Sequence, residues 1–174
     1  DLAFDWSEKA LALDPDDIRS LMLRAKIEQR KEHWEEALRL WKRVNKARGE
    51  HYESELQIAL CYLKMGNHAD ALESTEESLK RHDRVSSFLQ IKYKALLRLD
   101  RRDEALAVIE ELLASDLHNN DFLLEKARVC LQLGKLDQSE DACKVALEKE
   151  PDNVQLLTLY ARIGQKRVNY NAAA

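Results

Sequence analysis

The side chains in this sequence whose chemistry reaches beyond ordinary surface ionisation are five histidines and three cysteines. A histidine can act as general base, proton shuttle or metal ligand near neutral pH, and a cysteine thiolate as nucleophile, metal ligand or half of a disulfide. All such chemistry needs groups that converge. His33, His51, His68, His82 and His118 stand singly, without H-E-x-x-H, and no G-x-S-x-G offers a nucleophilic serine. Gly49, Gly66, Gly134 and Gly164 are too scattered for either G-x-G-x-x-G or G-x-x-x-x-G-K-[ST], so the phosphate cradles are absent as well. Cys61, Cys130 and Cys143 form no C-x-x-C, and an odd number of thiols in a long helical chain suggests a reducing, cytosolic setting. The carboxylates mostly sit beside Lys or Arg, the pattern of solvated helix faces. These residues predict no enzyme, no metal site and no cofactor.

The elements that carry them follow from composition. The 174 residues include four glycines and two prolines, where an average sequence of this length would have roughly 20. Hairpin-rich β folds need such residues in their turns and are disfavoured. Ala, Leu, Glu, Lys and Arg together exceed half of the chain, the balance of an all-α protein. A net charge of −4 and a pI near 5.8 argue against a general electrostatic grip on nucleic acid. The longest apolar runs, such as Ala105 to Ile109, fall far short of the roughly 20 residues that span a bilayer. No charged-then-apolar leader and no N-x-[ST] sequon occurs.

A period of 34 residues runs through the chain. It links Ala3, Ala37, Ala71, Ala105 and Ser139, and separately Ala25, Ala59, Tyr93, Ala127 and Ala161. Pro15 and Pro151 lie four periods apart, and Gly66 and Gly134 two. The physical reading is a helix-turn-helix unit repeated without insertion, with two apolar-periodic stretches per unit. Small residues recur where helices must approach, because a Leu there would overpack by about 1–3 kcal/mol. Pro15 and Pro151 stop the helices that end near Leu13 and Lys149. Gly66 and Gly134 supply the left-handed residue of the turn inside the unit.

On these residues the chain resembles the tetratricopeptide repeat family, whose pattern has Ala or Gly at position eight, Gly at fifteen, an aromatic at seventeen, Ala at twenty and Pro at thirty-two. The best-matching unit has Ala59, Tyr62, Gly66 and Ala71 in phase, and Trp34 fits the aromatic position of the unit before it. The resemblance implies an all-α, right-handed superhelical solenoid of antiparallel helix pairs, about ten helices, filling residues 1–170 as a single array. Full repeats would be 18–51, 52–85, 86–119 and 120–153. Residues 1–17 would be the second helix of a truncated repeat, 154–170 a terminal helix, and 171–174 a linker or vector-derived tail. A start partway through a repeat suggests a piece of a longer array.

Some residues depart from the family pattern. Position seven, usually Leu, is Arg24, Lys92 and Lys126; either those helices are rotated or the long stems snorkel. In repeat phase all five histidines fall at turns or helix ends and are expected to be solvated. Cys130 and Cys143, at positions eleven and twenty-four, would face each other, either as two small core residues or as a pair bridged in an oxidising compartment. Phe4 and Trp6, on the truncated first helix, would either be left partly uncovered or pack on the next repeat, and packing is the expectation.

The resemblance places positions two, five, nine, twelve and thirteen of the first helices on a concave groove. Positions nine and thirteen read Lys26, Leu60, Lys94, Arg128 and Arg162, and Arg30, Lys64, Arg98, Gln132 and Lys166. With Arg19, Glu53, Ser87, Asp121 and Gln155 at position two, the groove would hold nine cations and two anions, leaving the rest of the chain strongly acidic. Met22, Leu56, Leu63, Leu97, Leu124 and Leu131 would add an apolar lane. Arg19, Met22, Lys26, Arg30, Leu56, Lys64, Lys94, Leu97, Arg98, Arg128, Leu131, Arg162 and Lys166 are therefore the expected partner-binding residues. The residues that grip chaperone C-termini in one subclass of the family are not matched: the corresponding positions hold Met22, Lys26, Gln57, Ser87 and Ile91, or Leu56, Leu60, Ile91, Asp121 and Glu125.

The resulting expectation is a non-catalytic, cytoplasmic scaffold or adaptor. It would bind another protein or peptide segment, acidic and apolar in character, without entering a membrane, as part of a larger chain or complex. The alternative is an accessory domain of a larger enzyme, such as a glycosyl- or sulfotransferase-like protein. Nucleic-acid binding is disfavoured, because few aromatics interleave the basic positions.

Overall fold

With so few breakers, the chain forms helices wherever apolar spacing allows and leaves them only at marked residues. The computed structural model describes residues 2–83 and 85–173; Asp1 and Ala174, the outer limits of the expected array and tail, lie outside the described residues. Ten helices and no strand occur among the described residues: α1 (Leu2–Leu13), α2 (Ile18–Arg30), α3 (Trp34–Arg48), α4 (Tyr52–Lys64), α5 (His68–Arg81), α6 (Ser86–Arg98), α7 (Arg102–Ser115), α8 (Asn120–Gln132), α9 (Leu136–Lys149) and α10 (Val154–Ala173). The even-numbered helices begin at Ile18, Tyr52, Ser86, Asn120 and Val154, each 34 residues after the last. The odd-numbered helices from α3 to α9 begin at Trp34, His68, Arg102 and Leu136, with the same interval.

The ends of the helices follow local chemistry. Asp17, Asn119 and Asn153, one period apart or multiples of it, cap even-numbered helices by accepting amide protons from Ser20 at 2.8 Å, Phe122 at 3.2 Å and Leu156 at 3.2 Å. His51 caps α4 through Nδ1, which accepts from the Glu53 amide at 3.2 Å. α1 and α9 stop at Leu13 and Lys149, two residues before Pro15 and Pro151.

Inside each hairpin the turn uses one left-handed residue. Gly66 and Gly134 have φ of 81° and 75°, and the equivalent Glu32 and Asp100 both have φ of 60°. In three of these turns the left-handed amide bonds back to Gln29, Leu63 or Leu131, and the next amide to Glu28, Tyr62 or Cys130. That pair of bonds satisfies carbonyls at the helix end and points the chain into the next helix.

The helices fall into two compact units, Asp1–Leu99 and Asp100–Ala174. Within each unit, among the described residues, a helix packs only on helices one or two places along the chain. The first unit is built around Leu21, Ala25, Ala37, Trp41, Val44 and Cys61, all fully buried. In the second, Ile109, Leu112, Ala127, Cys130, Cys143 and Leu156 have no exposed surface. The small residues of both periodic series lie in the hairpin interfaces: Ala25 with Ala37, Ala59 with Ala71, and Ala127 with Ser139 are all at 0% exposure. The last pair is close enough for Ser139 Oγ to donate to the Ala127 carbonyl at 2.6 Å. Ala3 and Ala161 occupy equivalent positions on α1 and α10 and are exposed.

Phe4 and Trp6 do not behave alike. Phe4 is half-buried beneath the Arg24 guanidinium, which lies 3.5 Å from the ring centroid. Trp6 is 63% exposed, which corrects the expectation that it packs on the next repeat. Its ring is approached by Lys9 of its own helix at 4.6 Å.

The turn geometry predicts opposite effects at equivalent positions. A Cβ at Gly66 would meet nothing within 4 Å, so Gly66→Ala should cost only the left-handed backbone strain, about 1 kcal/mol. Glu32→Gly should raise stability by about 0.5 kcal/mol, the strain relieved less the extra unfolded-state entropy of glycine. Urea unfolding followed by circular dichroism checks both signs.

Candidate functional site

In the first unit the expected residues lie on the even-numbered helices. Arg19, Lys26 and Arg30 on α2, Lys64 on α4, and Lys94 and Arg98 on α6 are exposed, while Met22, Leu56 and Leu97 are half-buried. Side-chain bridges tie α2 to α4, among them a contact from Gln29 Nε2 to Cys61 Sγ at 3.7 Å. Lys26 Nζ donates to Glu53 Oε1 at 3.1 Å, and Gln29 Nε2 to Gln57 Oε1 at 2.8 Å. Arg48 of α3 reaches the same face, 3.8 Å from Glu53 and 4.0 Å from the Met22 sulfur. Lys64 Nζ stands 5.8 Å from the Trp34 ring centroid. Among the described residues Arg19, Arg30, Lys94 and Arg98 form no ion pair.

The second unit repeats this arrangement on α8 and α10. Arg128, Leu131 and Arg162 line an open depression of about 430 Å3. Leu131, Arg162 and Lys166 line another of about 430 Å3. Arg128 donates to Gln155 Oε1 at 2.9 Å, the same position-nine to position-two link that joins Lys26 to Glu53. Lys166 Nζ donates to the Leu131 carbonyl at 2.9 Å. Arg128 is also held by Glu125 of its own helix at 2.8 Å. Glu125 is at position six, outside the columns counted from the sequence, yet its spacing of three residues from Arg128 was a visible signal. The positive charge of these faces is thus partly neutralised within the chain, at Lys26 and Arg128.

The unusual cations at position seven keep their helices in phase. Lys92 Nζ lies 3.1 Å from Glu76 and Lys126 Nζ 2.9 Å from Glu110, each reaching a carboxylate of the preceding helix. Arg24 pairs with Glu28 at 2.9 Å. All three are half-buried, so the stems cover apolar surface while the heads find partners. Burial would push the Glu28 carboxyl up, but donors from His33 and Arg24 outweigh it and hold its pKa below 4.5.

The histidines do not form one site, but neither are they all solvated. His118 is exposed as expected. His33 Nδ1 contacts Glu28 Oε2 at 2.8 Å. His82 is covered: its ring stacks on Phe88 at 6.1 Å and meets Tyr52 edge-on at 5.9 Å. Its Nε2 lies 3.1 Å from Oε2 of Glu55, a glutamate only 4% exposed. Arg81 completes the group, donating to Glu55 Oε1 at 2.7 Å. Glu55 occupies position four, where the other even-numbered helices carry Leu21, Leu89, Leu123 and Leu157. That anomaly is legible in the sequence.

Cys61, Cys130 and Cys143 are all buried and unbridged, so the last two are small core residues. Among the described residues no three His, Cys, Asp or Glu side chains are grouped to hold a metal. Among the described residues no helix is long and apolar enough to cross a membrane.

Comparison with known proteins points to one family. A family model described as Tetratricopeptide repeat matches residues 94–154, and one described as Anaphase-promoting complex, cyclosome, subunit 3 matches residues 30–112. Tetratricopeptide repeat protein 8 of Caenorhabditis elegans is 31% identical over 119 residues, 68% of this chain and 23% of that protein. Phagocyte signaling-impaired protein of Drosophila pseudoobscura pseudoobscura is 28% identical over 107 residues, 61% of this chain and 11% of that protein. The chain therefore spans less than a quarter of either relative. Among solved structures, YrrB, described as a TPR protein with an unusual peptide-binding site, aligns with a TM-score of 0.76 at 16% identity, over 89% of this chain and 80% of that one. MamA from Desulfovibrio magneticus RS-1 aligns at 0.81 and 17%, over 90% and 88%. A tetratricopeptide repeat protein from Parabacteroides merdae aligns at 0.81 and 18%, over 88% and 61%. At these identities the structural matches speak for the fold.

Burial pushes the Cys61 and Cys143 thiols up to about 11. At pH 8 each would be thiolate in about one molecule in a thousand, and water-borne reagents would not reach it. Reaction with DTNB should therefore be at least about a hundredfold slower in the native protein than in urea, where all three thiols should titrate together.

Proposed function

We infer that this chain, which belongs to the tetratricopeptide-repeat family, is a non-catalytic scaffold or adaptor that holds an acidic and apolar segment of a partner protein against the basic faces of its even-numbered helices. Proteins of this fold are protein-interaction scaffolds in general. The observation that carries the finer reading is the pair Lys94 and Arg98 on successive turns of α6, exposed, unpaired among the described residues and flanking half-buried Leu97. Arg162 and Lys166 repeat that spacing on α10, above the depressions that Leu131 lines. A cation that makes no ion pair at home is free to meet a carboxylate from outside. The neighbouring leucine contributes apolar contact that holds the segment after encounter. The peptide-binding site named for YrrB is in keeping with a peptide segment as the ligand. Three buried thiols without a bridge favour a reducing, cytoplasmic setting.

Affinity capture from a cell lysate, comparing the chain with a Lys94→Glu/Arg98→Glu variant, tests this reading. Both side chains are exposed, so helical content should be unchanged by circular dichroism. Captured proteins should fall at least about tenfold for the variant, and the wild-type yield should drop as salt rises toward about 0.5 M. Equal capture by the folded variant sinks the proposal.

A further inference from the structure

A pocket of about 240 Å3 lies between α1 and α2. Its floor is apolar, made by Ala3, Leu23 and Ile27, and its rim carries Lys26, Arg30 and Lys31. Among the described residues no carboxylate lines it, and neither Arg30 nor Lys31 forms an ion pair. Lys31 Nζ stands 4.3 Å from the Phe4 ring centroid. Lys26 pairs with Glu53 at 3.1 Å, an exposed contact that a carboxylate from outside can exchange with at little cost.

The repeat shows what shape such a floor takes. Leu23 and Ile27 stand at positions six and ten of α2. The same positions hold Gln57 and Cys61 on α4, Ile91 and Ala95 on α6, and Leu159 and Ile163 on α10, none of them exposed. In each case the preceding even-numbered helix lies beside them: Gln29 of α2 reaches Gln57 at 2.8 Å and Cys61 at 3.7 Å, α4 packs on α6, and α8 packs on α10. Leu23 is 43% exposed. The group that covers this pair of positions is therefore a helix. The pocket is smaller than the roughly 300–1,000 Å3 of small-molecule sites, and suits one or two side chains of a larger partner.

Charge selects the helix. A second copy of the chain offers α10, but that helix carries Arg162, Lys166 and Arg167 and no Asp or Glu, and would bring them to a rim of like charge. Nucleic acid has the right charge but no aliphatic group to cover Leu23. We propose that the pocket between α1 and α2 docks an acidic amphipathic helix of a partner protein. Its apolar side chains lie on Leu23 and Ile27, and its carboxylates meet Arg30, Lys31 and Lys26. Lys26 and Arg30 also belong to the basic face of α2, so this assignment rests on the reading above and adds to it the fold of the bound segment and the place that anchors it.

The test uses the 174-residue chain and a fluorescein-labelled peptide of repeated Leu-Glu-Glu-Leu-Ala-Glu-Ala heptads, read by fluorescence anisotropy. Leu23→Gln, which lies outside the basic face, and Arg30→Gln should each weaken binding at least about fivefold. Both side chains are exposed, so the melting temperature should not move. Leu157→Gln alters a similarly exposed leucine on α10, 47% against 43%, and should change affinity less than about twofold. The same peptide with Lys for every Glu should bind at least about tenfold more weakly. Lys94→Glu/Arg98→Glu separates the two readings. Loss in that variant with none in Leu23→Gln overturns the pocket and leaves the basic-face reading standing; loss in Leu23→Gln with none in that variant supports the pocket and removes the α6 contact. Three other results also overturn the proposal. Equal loss in Leu157→Gln would mean general apolar adhesion. Equally tight binding of a labelled oligo-uridylate, lost in Arg30→Gln, would give the rim to nucleic acid. Dimers in sedimentation that Leu23→Gln dissolves would give the floor to a second copy.

Discussion

Two helices can lie only as close as their smallest facing side chains permit, and everything else in this chain depends on that distance. Ala25 against Ala37, Ala59 against Ala71, and Ala127 against Ser139 put side chains of one to two heavy atoms at the hairpin interfaces, all without exposed surface. The Ser139 hydroxyl, reaching the Ala127 carbonyl at 2.6 Å, shows how near the helices come. At that separation the larger residues, Trp41, Leu21 and Val44 in the first unit and Ile109 and Leu112 in the second, fill the flanks. A close-packed interior tolerates no spare methylene there. The 34-residue interval is the spacing at which such contacts recur, so small residues and helix starts keep the same register.

That register also decides which polar groups meet. A residue at position nine of one even-numbered helix reaches position two of the next within a unit, as Lys26 reaches Glu53 and Arg128 reaches Gln155. Whether a basic column stays available to a partner therefore depends on what stands at position two, and on the residue three places back on the same helix. Glutamates at Glu53 and Glu125 quench two of the cations. Three places back from Lys94 and Arg98 stand Ile91 and Ala95, and neither cation forms an ion pair among the described residues. Each unit's face is less uniform than a count of charges implies: among the described residues Lys94 and Arg98 on α6 in the first unit, and Arg162 on α10 in the second, make no ion pair.

Much of the fold was legible because its signals are periodic. Alanines, prolines and glycines in one phase announce helices, ends and turns without reference to distant residues. The left-handed turn at Gly66 and Gly134 was readable for the same reason; at Glu32 and Asp100 the backbone adopts it although the side chain does not favour it, since the bonds of the turn override a preference of about 1 kcal/mol. The candidate faces were legible as columns but not as pairings, because an ion pair depends on rotamers and on neighbours in other helices. The cluster of Glu55, Arg81 and His82 was missed for a different reason. A buried glutamate at a leucine position is an exception to the period, and reading for the period passes over exceptions.

The neighbour-only packing of the helices bears on how the chain is made. Among the described residues no helix within either unit meets another more than two places along the sequence, so the loops that must close are short and their entropy is small. Low contact order of this kind goes with folding in microseconds to milliseconds. Synthesis, at about 5–20 residues per second, is far slower. The cluster that buries Leu21 and Trp41 of α2 and α3 also takes in Ile58 and Cys61 of α4, so a hairpin needs little more than the next helix to emerge before its core can close. Each later hairpin can condense on the one before it while the ribosome is still at work.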